Sequence, residues 1–303
     1  MSHKDAAGGH SPPAPGLVLS HLGQGLLIEA EDGEVWLCHT RRQLGAVAAG
    51  DRVEWCAVAP GQGRVERVMP RKSALTRPAH GGRVRVVAAN LDQLVIIVAP
   101  EPEPDWLLVD QYLAASEHRG LGVMIVVNKI DQGKTLAFEA TLAGYEAIGY
   151  PNVKVSARSG DGLEGLRQVL EGKSSLLSGQ SGVGKSSLTN ALLPGKNVRT
   201  RELSEKAQLG RHTTTAAMLY HLPSGGDLID SPGVAVFGLA EMDLHDLAWG
   251  FREFRPHLAD CQFNDCRHLG DLGCAIQREI DRGTILPERY QRFVKLLGKM
   301  HLG

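Results

Sequence analysis

A chain of 303 residues with 43% hydrophobic and 22% charged side chains has enough apolar mass for a large core or for several folded units. Its 34 acidic and 33 basic residues leave a formal net charge of −1, which excludes a protein that coats nucleic acid through overall charge. Five cysteines without a secretory leader exclude a disulfide-stapled scaffold as the simplest reading. Residues 1–15, rich in Gly, His, Ser and Pro and without periodicity, are expected to form a disordered tail. They lack the apolar centre of a signal peptide and the length of a membrane span, so a cytoplasmic protein with no membrane partner is expected.

From residue 16 to 75, short runs such as Gly25–Ala30 and Val35–Cys38 alternate with glycine-containing turns, and Asp51–Cys56 alternates with period two. Several short strands in so few residues predict a barrel of the oligonucleotide-binding (OB) type, with Cys38 and Cys56 as core thiols. Between Arg64 and Arg85, seven basic side chains face one glutamate, a local excess of six that suits RNA phosphates or, alternatively, a solvated linker. Residues 85–240 alternate apolar strands with helical stretches, which predicts a parallel sheet covered on both faces. Leu94–Val98 and Val123–Val127 are its most apolar strands, and Asp105 is placed to cap a helix carrying Leu108, Tyr112 and Ala115. In residues 241–303, Leu244, Leu247, Phe251 and Phe254 mark one helix, and Pro287 opens another bearing Tyr290, Phe293, Leu297 and Met300. This last unit is expected to be helical, to bind zinc and to pack on the switch side.

The chemistry sits in the central section. Gly179-Gln180-Ser181-Gly182-Val183-Gly184-Lys185-Ser186, followed by Ser187, lies between a strand-like run and a helix. Its glycines let backbone N–H groups converge on phosphate, Lys185 suits the β- and γ-phosphates, and Ser186 suits Mg²⁺. Asn128-Lys129-Ile130-Asp131 follows an apolar strand, where α/β sheets bind ligands. The Asp131 carboxylate can accept from both N1–H and the 2-amino group of guanine, with Asn128 on the base edge and the Lys129 stem over the ring. Alone that tetrapeptide is weak; Ser156-Ala157, at the end of a second short strand, supports it as a backbone contact to the guanine carbonyl. Asp230-Ser231-Pro232-Gly233 has the form in which Asp230 reaches Mg²⁺ through water and the Gly233 amide meets the γ-phosphate. Gly210–Thr215 precedes it, with Thr214 assigned to Mg²⁺, and together these form candidate switch segments. Val234 stands where many GTPases carry a water-positioning glutamine, and His212 is the nearest group able to replace it or, equally, only to pack.

Cys261, Cys266, His268 and Cys274 are spaced C-x4-C-x-H-x5-C, a closed tetrahedral set for one structural Zn²⁺ with no open position for hydrolytic chemistry. The guanine-reading motif precedes the phosphate loop, the reverse of the order in small GTPases. These motifs in this order resemble the RsgA (YjeQ) family of circularly permuted GTPases, from about Gly16 to the C-terminus, with Arg77-Pro78 and Asn90–Gln93 adding to the likeness. The resemblance implies a GTPase that binds the small (30S) ribosomal subunit, contacts its 16S rRNA, assists its late maturation and is stimulated by it. It implies a catalytic role for His212 and none for Glu101-Pro102-Glu103-Pro104. Nothing in the sequence requires more than a monomer. Two other readings stand beside this one: a GTP-gated RNA-binding module in which hydrolysis only resets binding, and a P-loop kinase or ATPase, which Asp131 disfavours. Mechanically, the permutation runs Asp230–Gly233 into the zinc unit and is expected to bring the barrel in on the guanine-reading side.

Overall fold

Alternation of apolar and polar residues in the first third produces five strands. These are β1 (Ala14–Leu22), β2 (Gly25–Ala30), β3 (Val35–Thr40), β4 (Arg52–Ala59) and β5 (Gln62–Val68). In this computed structural model, residues 12–22, 25–41, 44–78, 84–133, 135–195, 217–231, 239 and 242–300 are described. Antiparallel pairs β1–β2, β2–β3, β4–β5 and β1–β4, with a parallel β3–β5 pair, close the strands on themselves. Closure removes the free edges that an open sheet would present. Val18, Leu26, Ile28, Cys38, Val53 and Trp55 fill the interior, and Trp36 packs on Trp55 at 5.0 Å.

The basic stretch contains structure that its composition concealed. Strands β6 (Ala74–Pro78) and β7 (Val84–Ala89) form an antiparallel hairpin between the barrel and the main sheet. Among the described residues, four of the stretch's cations meet carboxylates: Arg64 with Glu66, Arg67 with Glu54, Arg71 with Asp51 and Lys72 with Asp92. Three of those acids lie outside the stretch, so the excess of six overstates the charge offered to phosphate.

The main sheet contains β8 (Gln93–Val98), β9 (Gly122–Val127), β10 (Asn152–Lys154), β11 (Ser174–Ser178), β12 (Met218–His221) and β13 (Asp227–Asp230). Their order is β10-β9-β8-β11-β13-β12, parallel except for antiparallel β12. Along β8, Leu94, Ile96 and Val98 face one core while Val95 and Ile97 face the other, the two-residue period of a doubly covered strand. The first face is covered by α1 (Trp106–His118) and α2 (Leu136–Ala147), the second by α3 (Leu163–Leu170) and α4 (Lys185–Leu192). Asp105 caps α1 as expected, accepting from Leu108 N–H at 3.0 Å.

Two expectations need correction. The barrel does not sit on the guanine-reading side: β1 pairs with β12, at the edge farthest from β10, through Ser20 and Met218. Antiparallel β12 leaves an open edge there, and the barrel covers it. The Leu244–Phe254 stripe is not one helix: α5 runs Leu244–Gly250 and a 3₁₀ turn follows over Arg255–Asp260. Gly250 presses on α1, where a Cβ would lie 2.8 Å from Ala114 Cα, and Pro256 opens the tighter turn. Phe251 and Phe254 are buried all the same, with Phe293, in the core that includes α1 and β8. Each such ring contributes roughly 1.5–3 kcal/mol by burial. Two further helices, α6 (Ala275–Asp281) and α7 (Pro287–Met300), complete an α/β protein with an N-terminal barrel and a C-terminal helical unit. The contacts of that unit run chiefly to α1, with Arg252 also reaching the Gly149 carbonyl and the Tyr150 ring. Among the described residues, no helix is long and apolar enough to cross a membrane.

Candidate nucleotide site and metal centre

The phosphate loop leaves the end of β11 and turns into α4, so its amides gather at the helix N-terminus. Gly184 has φ +93, and a Cβ there would strike the Asn128 amide nitrogen, so only glycine fits. Lys185 Nζ donates to the Gly179 and Gln180 carbonyls at 2.7 and 2.6 Å. Burial lowers the Lys185 pKa, and the nearby Asp230 charge opposes that shift. The lysine therefore arches over its own loop beside the aspartate at the end of β13. Ser186 and Ser187 are exposed in the first turn of α4, while Ser181 and Gly182 form the loop crest and Val183 is buried beneath it.

The Asn128–Asp131 turn meets the same place from β9. Asn128 is 1% exposed and joins three loops: its Nδ2 donates to the Val183 carbonyl at 2.9 Å, and its Oδ1 accepts from Ala157 N–H at 3.1 Å. This arrangement makes Asn128 a brace between the two motifs, and the Ala157 N–H expected on guanine is held by it. Lys129 adopts φ +61 and its Nζ reaches the Glu101 carbonyl at 2.9 Å. Ile130 N–H donates to the Val155 carbonyl, fixing the turn against the loop after β10. Asp131 is exposed and accepts from the buried Ser156 hydroxyl at 2.7 Å, which lowers the carboxyl pKa and leaves an oriented anion at the mouth. Asp230 ends β13. His212, Thr214, Gly233 and Val234 lie outside the described residues.

At the other pole, Cys261, Cys266, His268 and Cys274 bring one ligand atom each within 4.8 Å of the others. His268 Nδ1 is 3.6 Å from Cys261 Sγ and 3.7 Å from Cys274 Sγ. A tetrahedron with the usual Zn–S and Zn–N bonds has S···N edges of about 3.6 Å, so the set fits structural Zn²⁺. Burial lowers the His268 pKa, keeping the imidazole neutral as a ligand must be. Burial, with the adjacent thiols, pushes Cys266 up to about 12, so a cation beside it is what would favour its thiolate. Around the ligands, Tyr290 donates to the His268 carbonyl at 2.8 Å, Ala275 N–H points to Cys261 Sγ, and Asp271 accepts from Arg267 and Leu269 N–H.

Sequence reasoning missed the contacts that tie the poles together. Asp110 of α1, fully buried, pairs with Arg289 and Arg292 of α7, and Arg289 also grips Glu253 at 2.6 Å. Glu117 of α1 holds both Arg252 and Arg255 at 2.6 Å. Single charged residues on a helix give no sequence signal for a partner far along the chain.

Residues 68–240 match the model of the RsgA GTPase family. The chain is 45% identical to the small ribosomal subunit biogenesis GTPase RsgA of Azotobacter vinelandii, with 95% of this chain and 86% of that protein covered. Its counterpart in a Pseudomonas putida strain is 44% identical over the same shares. The crystal structure of YjeQ from Thermotoga maritima superposes with a TM-score of 0.77 at 32% identity, covering 95% of this chain and 99% of that one. YloQ, a circularly permuted GTPase, shares the fold at a TM-score of 0.73 and 24% identity, covering 99% and 98%.

Proposed function

This chain belongs to the RsgA GTPase family and hydrolyses GTP, and we propose that it does so on the small (30S) ribosomal subunit, whose late maturation it assists. The observation that carries the site reading is the convergence of the phosphate loop, the Asn128–Asp131 turn and the Ser156-Ala157 turn through one buried side chain, Asn128. In this reading Asp131 selects guanine, the Gly179–Gly184 amides and Lys185 hold the β- and γ-phosphates, and Asp230 and the Gly233 amide sense the γ-phosphate. Ser186 and Thr214 would hold Mg²⁺, which when bound neutralises charge developing on the phosphates. Val234 cannot orient water, so His212 or a group from the subunit does, and turnover by the free protein is slow. The barrel contacts 16S rRNA, and the protein works as a cytoplasmic monomer.

Turnover measured with isolated small subunits, with large subunits and with neither tests this directly. Stimulation by small subunits alone is expected; equal rates in all three arms refute the assignment. Asp131→Asn should move base preference from guanine to xanthine, and Lys185→Ala should abolish productive binding. His212→Ala should lower turnover about a hundredfold or more with GTP affinity nearly intact; parallel loss of both would make His212 structural.

A further inference from the structure

The Glu101-Pro102-Glu103-Pro104 run lies across the nucleotide site as a strap. It follows β8 and ends at Asp105, the N-cap of α1. Three of its backbone groups meet the two nucleotide motifs on the way. The Glu101 carbonyl accepts from Lys129 Nζ at 2.9 Å, and the Glu103 carbonyl accepts from Gln180 Nε2 at 2.8 Å. Asp105 N–H donates to Gln180 Oε1 at 2.5 Å. A Cβ on Gly182 would meet the Pro102 ring at 3.4 Å, so the strap also lies against the loop crest. One short segment therefore touches the guanine-reading turn and the phosphate loop together. The glutamate side chains point to solvent, so the backbone makes these contacts. Pro102 and Pro104 supply fixed φ and no N–H, leaving carbonyl acceptors in a stiff frame.

The other end of the strap is equally committed. Asp105 caps α1, and five residues later Asp110 reaches Arg289 and Arg292, while Glu117 reaches Arg252 and Arg255. A displacement of the phosphate loop that carries Gln180 must move the strap or break its two hydrogen bonds. A moved strap shifts the start of the helix on which the zinc-bearing unit is seated.

We propose that residues 101–105, clasped by the Gln180 side chain, couple nucleotide occupancy to the seating of the zinc-bearing unit on α1. Gln180 is then a positioning residue through its side chain, a role separate from its loop amide. The inference rests on the guanine-nucleotide reading of the site. Coupling of this kind is reciprocal, so loosening the α1 anchor must change nucleotide affinity. A double-mutant cycle measures that coupling.

Fluorescent GDP and GTP analogues are titrated into full-length zinc-loaded protein as wild type, Gln180→Ala, Glu117→Gln and the double variant. Glu117→Gln should weaken nucleotide binding about fivefold in the wild-type background and leave it unchanged in the Gln180→Ala background. Amide exchange in α5 and α7 should respond to GDP in the wild type and not in Gln180→Ala, a readout that simple loss of loop support would not move. Additive affinities, or exchange that responds to GDP equally in both proteins, overturn the coupling. If Glu117→Gln releases zinc, Arg255→Lys weakens the same pair and replaces it in the cycle. A wild type that binds neither analogue refutes the nucleotide site itself.

Discussion

The main sheet is joined on one side to the barrel and on the other to the zinc-bearing unit, and the two joints are built from different physics. The barrel joint combines an apolar seam, in which Leu19, Leu22, Leu27 and Ala49 share one buried core with Leu219 and Ile229, with polar contacts that are partly exposed. Its polar part includes the strand pairing at Ser20 and Met218, the Ser20 hydroxyl on the Ala217 carbonyl, and Asn90 Nδ2 on the Gly50 carbonyl. Lys72 and Asp92 add an exposed pair, and His221 of β12 is held between Glu29 of the barrel and Asp227 of β13 at 2.5 and 2.6 Å. The zinc-side joint is dry: Arg289 and Glu253 are almost fully buried with Asp110, beside Phe251, Phe254 and Phe293. Exposed polar contacts exchange with water at little cost, whereas a buried charge cluster must be dismantled as a whole. The exposed polar contacts of the barrel are thus the easier ones to loosen, while the zinc-bearing unit is held by a buried charge cluster centred on α1.

Zinc removal should break the stiffer side most. Binding at small Cys/His sites is worth on the order of 10 kcal/mol. Metal analysis should return about one zinc per chain, and chelation should strip amide protection from α6 and α7 while sparing the barrel. Uniform loss across the chain would erase the contrast. Next in size, Asp110→Ala leaves buried arginines short of a partner and should cost about 3–5 kcal/mol in denaturant unfolding; a cost under about 1 kcal/mol would show that the cluster is not closed to water.

The barrel joint should yield smaller, pH-dependent effects. Hydrogen bonds that the protonated ring donates to Asp227 and Glu29 raise the His221 pKa from its ordinary value of 6.5 to about 9. A raised folded pKa means the contribution is full below pH 6.5 and fades as pH climbs through about 9. The side chain is 37% exposed, so solvent screening reduces the contribution, and His221→Gln should cost about 1 kcal/mol at pH 6. Wild type and variant should converge near pH 10; a constant gap would assign His221 to packing. Smallest of all, Lys72→Ala should change stability by under about 0.5 kcal/mol, and a larger loss would mean the barrel joint is tighter than its exposure implies.

Much of this was legible in the sequence, for identifiable reasons. Continuous apolar runs gave β8 and β9, the Asp105 cap fixed the start of α1, and the Cys261–Cys274 spacing brought four ligands together because all lie within one short loop. What escaped was long-range. Antiparallel β12 is only four residues long, and β6–β7 hid inside a run read for its charge. Arg67, Arg71 and Lys72 of that run found partners in Glu54, Asp51 and Asp92, which local charge arithmetic does not include. Asn128 read as a base contact yet braces three loops, since the sequence names the residue but not its neighbours.

The pairing of β1 with β12 also carries a consequence in time. Ser20 is separated from its partner carbonyl on Ala217 by 197 residues. At the usual 5–20 residues per second of synthesis, the first strand made waits roughly 10–40 s before the edge it covers exists. The barrel closes on itself meanwhile through β4, so its own surface is finished early. Strand β12 arrives at a ready-made cap and never has to meet the cell as a bare edge.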